Sequence, residues 1–163
     1  MKRTNILNGL CLVWSIVPMC LAQHPSLQPA WEAFNKPDYR EAAKHADKCI
    51  DDYAFSAAKM EADLEANRVP APPTGAVGAE QKKEILERGP LNDAAACYFI
   101  KGRSAQKLDS IKQARQAYTA GCKLKYARIW DPHGWFWSPV DEMCARLQAL
   151  PPVTKAKKNS RTK

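Results

Sequence analysis

The residues of this chain best equipped for chemistry lie in one stretch, Trp130-Asp131-Pro132-His133-Gly134-Trp135-Phe136-Trp137-Ser138-Pro139. Aromatic rings stack on the apolar faces of sugars and anchor protein partners. Trp130, Trp135 and Trp137 therefore suit a binding platform, with Asp131 and His133 as its polar contacts. The same residues suit a cap, in which the rings fold over the open end of the last helix pair and Asp131-Pro132 makes a turn. The cap is preferred, because a short helical array must cover its end, and one ring can still be left outside.

Asp131 and His133 also have the composition of an acid–base couple. The nearest hydroxyl, Ser138, is followed at once by Pro139, and no other nucleophile accompanies them. Adjacent carboxylates occur at Asp51/Asp52 and Asp141/Glu142. Neighbours on a helix point apart, so neither couple makes a glycosidase site by spacing alone. No catalytic residue is assigned, and a non-enzymatic protein without a cofactor is expected.

Metal chemistry has little to build on. The spacing of His45 and Cys49 is the single ligand-like feature, no cysteine falls in a C-x-x-C pair, and no metal site is expected. His24 would become an amino-terminal copper ligand only if a leader were cut one residue beyond Ala22.

That leader is the clearest element of the chain. Lys2 and Arg3 precede an apolar run from Ile6 to Ala22 that ends Cys20-Leu21-Ala22, the pattern of a secretory signal peptide cleaved after Ala22. Asn8, Gly9 and Pro18 interrupt the run, which falls short of the ~20 apolar residues of a spanning helix. Val17-Pro18-Met19 lacks the small residues that precede a lipidated cysteine. The expected product is periplasmic or secreted, with no stable membrane span after cleavage.

Cleavage removes Cys11 and Cys20 and leaves Cys49, Cys97, Cys122 and Cys144. Four cysteines in an exported chain read as two disulfides, with three pairings open.

The formal charge of +8 divides unevenly along the chain. Residues 155–163 hold Lys155, Lys157, Lys158, Arg161 and Lys163 and no acid, whereas residues 23–154 hold 18 basic and 17 acidic residues. The basicity belongs to a tail expected to be disordered. The body has no basic face for nucleic acid.

The elements that must position these groups read as helices. From Asp38 to about Ala66 there is no Gly or Pro, and apolar residues recur in steps of three and four from Tyr39 through Ala42, Ala46, Cys49, Tyr53, Ala57 and Met60 to Leu64. Pro37 suits the first turn of this helix, and Leu27–Asn35 makes a shorter helix before it. Residues 67–78 read as a loop insertion. Ala79–Arg88 is a short polar helix stopped by Gly89-Pro90. Helices are then expected from Asn92, as N-cap, to Ser104, from Ser110 to Lys125, and from Pro139 to Leu150. No strand is expected, and the class is all-α.

Helix pairs joined by short turns point to a repeat. The segment Ala95–Lys125 resembles a tetratricopeptide repeat, with Tyr98, Gly102 and Ala105 in its first helix and Ala114, Tyr118 and Gly121 in its second. A looser copy covers Leu27–Tyr53, where Ala42, Ala46 and Cys49 match the second half of the motif and the first half departs from it. The resemblance implies that residues 23–154 of an exported bacterial protein form antiparallel helix pairs stacked as a short superhelix. It further implies bridges Cys49–Cys97 and Cys122–Cys144 between successive helices, and a concave face of first helices that binds a protein segment. A protein partner is the first expectation. A cell-wall glycan held by the Trp130–Trp137 segment is the second, and a purely structural subunit of an envelope complex the third.

Overall fold

Periodicity of 3.6 residues with alanine at the inward positions produces helices that pack closely, and the computed structural model, described over residues 26–152, is mostly helical. The leader, His24 and residues 155–163 lie outside the described residues. The elements are α1 (Leu27–Asn35), α2 (Tyr39–Ala66), α3 (Ala79–Leu86), α4 (Gly89–Lys107), α5 (Ile111–Gly121), β1 (Ile129–Asp131), β2 (Trp135–Trp137) and α6 (Pro139–Ala149).

α4 is the centre of the molecule, touching α1, α2, α3, α5 and α6. Its sequence explains this. Leu91, Ala94, Ala95, Ala96, Cys97, Phe99, Ile100, Gly102, Ser104 and Ala105 are all buried, so it is apolar around most of its circumference, and its small residues admit neighbours at short range. α2 lies against it through Ala42, Ala46, Cys49 and Ala57. α5 approaches on another side, with Ala114, Ala117, Tyr118 and Gly121 buried. At Gly102 a Cβ would overlap the ring of Tyr118, and at Gly121 one would overlap the Met143 thioether, so both glycines set how closely the helices approach.

Disulfides join Cys49 of α2 to Cys97 of α4, with Cα atoms 6.2 Å apart, and Cys122 after α5 to Cys144 of α6, 5.6 Å apart. These are the two pairs that the repeat resemblance implies.

Several boundaries differ from the sequence expectation. Pro37 precedes α2 rather than opening it, and Asp38 is the N-cap, its carboxylate accepting from the Glu41 N–H at 3.2 Å. Gly89 and Pro90 do not separate two helices by a stop. They form the first turn of α4, where the missing proline N–H has no helical partner to lose. Asn92 is accordingly inside α4 rather than at its N-cap, which is Arg88. α4 continues to Lys107, and α5 ends at Gly121 rather than Lys125.

The all-α expectation is corrected by a small antiparallel hairpin. β1 and β2 pair Ile129 with Trp137, Trp130 with Phe136 and Asp131 with Trp135, around a Pro132-His133-Gly134 loop in which Gly134 has φ +102°. Each strand is three residues long, too short for alternation to show. The signal present was aromatic enrichment on both sides of a glycine-bearing loop, with the β-branched Ile129 on one side. The insertion joins this sheet edge: Gly75 donates its N–H to Phe136 at 2.7 Å and accepts the Phe136 N–H at 2.9 Å.

Candidate functional site

Three side chains from distant parts of the chain place the hairpin. Glu61 on α2 accepts the backbone N–H groups of Lys125 (2.8 Å) and Tyr126 (3.2 Å). Asn92 on α4 donates to the Ile85 carbonyl at 2.7 Å and accepts the Arg128 N–H at 2.9 Å. The Arg128 guanidinium, buried just before β1, donates to the carbonyls of Pro72, Pro73 (3.3 Å), Lys125 (3.1 Å) and Ala127 (2.7 Å). Burial pushes the Glu61 carboxyl up, against the two N–H groups that pull it down, and it lowers the Arg128 guanidinium. None of these roles carries a sequence signature, because each depends on a carbonyl or N–H brought near from elsewhere.

The hairpin forms one wall of a groove of about 1670 Å³. α1 contributes Leu27, Trp31 and Asn35, α4 contributes Asn92, Asp93, Ala96 and Phe99, and the start of α6 contributes Ser138, Asp141 and Glu142. A line of aromatic contacts runs through its lining residues Trp137, Phe99 and Trp31 and on to Phe34 behind them. Trp137 meets Phe99 edge-on at 5.1 Å between centroids, Phe99 meets Trp31 at 6.2 Å, and Trp31 meets Phe34 at 6.0 Å. Trp31, Phe99 and Asp93 were not singled out by the sequence, where they are ordinary residues of amphipathic helices.

The predicted platform is divided by the pleat of β2. Phe136 is fully buried, Trp137 is half-buried and Trp135 is 40% exposed at the groove's edge. Trp130 packs edge-on against Phe136 at 4.8 Å, and the Lys82 ammonium lies 3.6 Å from the centroid of its ring. Trp137 thus packs on the helical body through Phe99, Phe136 and Trp130 pack together on the other face of the hairpin, and Trp135 is the most exposed of the four rings.

Asp131 and His133 do come together. Asp131 Oδ1 accepts the His133 backbone N–H at 2.8 Å and lies 2.7 Å from His133 Nδ1. The backbone bond first, and the ring contact second, hold the Asp131 carboxyl below the usual range. His133 points into solvent, with its side chain 87% exposed. Ser138 Oγ accepts the Asp141 N–H at 3.2 Å and caps α6.

The remaining candidates are dispersed. Asp51 and Asp52 are exposed on α2, and Glu142 pairs with Arg146 one turn along α6. His45 lies 3.9 Å from Glu41, while Cys49 is joined to Cys97. Among the described residues, no group of three or more His, Cys, Asp and Glu side chains is arranged to hold a metal ion, and no helix is long and apolar enough to cross a membrane.

Comparison of the chain with protein-family models, with curated proteins and with solved structures gives no match.

Proposed function

We propose that this chain is an exported, non-enzymatic, tetratricopeptide-like interaction module whose groove holds an extended segment of another protein. One observation carries the reading. The groove is lined by α1, α4 and the start of α6, the helices that open each successive pair in the repeat reading, and its apolar surface comes from Trp31, Phe99 and Trp137 with Trp135 at the edge. Rigid aromatic anchors in a preformed groove are the usual source of affinity for a peptide segment. The two disulfides suit an oxidising compartment, which agrees with export by residues 1–22.

A photo-crosslinking residue at position 135, with Phe55 on α2 as the control position, tests it in envelope extract. A defined protein crosslinked from 135 and not from 55 supports the reading. Retention of cell-wall glycan alone, released by Trp135→Ala, replaces it with the second reading, a glycan-binding or accessory protein. That reading draws its support from the exposed Trp135 ring beside the groove.

A further inference from the structure

The two disulfides differ in what surrounds their sulfurs. Cys49 and Cys97 are wholly buried, in one core cluster with Ala46, Ala96 and Ile100. Cys122 and Cys144 are half-buried. Cys122 packs at the edge of that cluster and Cys144 at the edge of a second one, which contains Leu91 and Val140. Their chain neighbours Lys123 and Ala145 are exposed. Exchange requires a thiolate to reach a sulfur, so access decides which bridge opens, and exposed bridges are the labile ones.

They differ also in what they close. Cys122 and Cys144 are 22 residues apart, and the chain between them carries Arg128, both strands of the hairpin and the first turn of α6. This bridge therefore ties the hairpin segment at both ends. Cys49–Cys97 instead fixes α2 to α4, the helix at the centre of the molecule. With Cys122–Cys144 open, α6 keeps its buried Met143 and the bonds from Arg115 to the carbonyls of Leu150 (3.2 Å) and Pro151 (2.7 Å), but the loop around the hairpin is no longer closed.

We infer that Cys122–Cys144 is a site of thiol–disulfide exchange with a dithiol reductant of the C-x-x-C kind, and that its opening loosens the hairpin and α6 while Cys49–Cys97 holds the helical body together. One thiolate of the reductant attacks a sulfur of the bridge, the S–S bond breaks, and the other sulfur leaves as a thiolate and takes up a proton. The second thiolate of the reductant attacks the mixed disulfide, forms the reductant's own disulfide and releases the remaining cysteine, which is protonated in turn. Two electrons and two protons pass from the dithiol to the bridge. Ser138, Asp141 and Glu142 at the start of α6 and the rings of β2 line the groove, so one of its walls answers to the bridge. The inference does not depend on what the groove holds.

The test exposes the oxidised mature chain to dithiothreitol and, separately, to thioredoxin, quenches with an alkylating agent at intervals, and maps the alkylated cysteines by mass spectrometry. Cys122 and Cys144 are expected to be labelled at least about tenfold faster than Cys49 and Cys97 by either reductant. In the chain reduced at this bridge alone, backbone amides of β1, β2 and α6 should exchange hydrogen about tenfold faster, with those of α2 and α4 unchanged. The double variant Cys122→Ser, Cys144→Ser should show the same pattern without reductant. Labelling of all four cysteines at one rate, or of Cys49 and Cys97 first, overturns the inference. So does selective opening of Cys122–Cys144 that leaves the hairpin and α6 amides as protected as before.

Discussion

Gly102 on α4 lies beneath the ring of Tyr118 on α5, so that a Cβ at position 102 would overlap the tyrosine, whose hydroxyl donates to Gln106 Oε1 one turn further along α4. The tyrosine is fully buried, and desolvation pushes its phenol up to about 12. Gly102→Ala would gain about 1 kcal/mol in helix propensity but must displace a ring with no room to move. Overpacking of this kind costs ~1–3 kcal/mol. Net destabilisation is expected in urea unfolding, and Gly102→Ala combined with Tyr118→Leu should recover part of it. An unchanged midpoint for the single variant would contradict the packing described.

The disulfides close loops of different length, 48 residues for Cys49–Cys97 and 22 for Cys122–Cys144. Chain-entropy arguments assign them roughly 4 and roughly 3 kcal/mol respectively. Replacing both cysteines of a pair by alanine should therefore lower stability more for the first than for the second. Peptide mapping under non-reducing conditions checks the connectivity directly, and a Cys49–Cys122 peptide would remove the arrangement.

Arg128 holds the insertion to the α5–β1 connection through carbonyls on both sides. Arg128→Met keeps much of the buried volume and removes the donors, leaving those carbonyls without a partner at ~1–3 kcal/mol each for any that water does not reach. Limited proteolysis should then cut faster between residues 67 and 78 than in the parent chain. An unaltered cleavage pattern would argue that the insertion is held by the Gly75–Phe136 bonds alone.

Glu61 gives a pH dependence of definite sign. Its folded-state pKa is raised above the ordinary value, chiefly by desolvation, so the folded state binds the extra proton between the two values. Its contribution to stability is therefore greatest below the ordinary carboxyl pKa and declines as pH rises through the raised one. Asp131, lowered by His133, acts oppositely and loses its contribution as pH falls. The stability difference between the parent and Glu61→Gln should favour the parent more at low pH than at pH 7. Chemical unfolding of both proteins at several pH values measures this, and a difference that grows with pH would reverse the assignment.

The two groove tryptophans on β2 should separate stability from binding. Trp137 packs edge-on against Phe99, whereas Trp135 is 40% exposed. Trp137→Ala is expected to cost ~3 kcal/mol or somewhat less, as for a large ring that is not fully buried. Trp135→Ala should shift stability by only about 0.5 kcal/mol while weakening the proposed partner contact. Equal thermal shifts for the two variants would show that the hairpin does not divide its rings in this way.

Local patterns in the sequence were sufficient for the helices. The uninterrupted 3.6-residue period from Tyr39 to Leu64 and the proline-led start of α6 are written in neighbouring residues, and their physics is local. The same holds for Gly102, Ala105, Ala114, Tyr118 and Gly121, whose small and large side chains pack between α4 and α5 or at the α5–α6 contact. Four cysteines implied two bridges, although their number left three pairings open and the pairing required knowing which helices are neighbours. Tertiary structure alone decided the rest. The hairpin is too short for alternation to register, and it stands because Glu61, Asn92 and Arg128 satisfy backbone groups that lie 36 to 65 residues away in sequence. The groove likewise belongs to no segment. Trp31, Phe99 and Trp137 become one surface only when α1, α4 and β2 meet, and Trp135 and Trp137, on the same face of β2, differ in exposure because Trp137 meets Phe99 of α4 whereas Trp135 lies beside the loop.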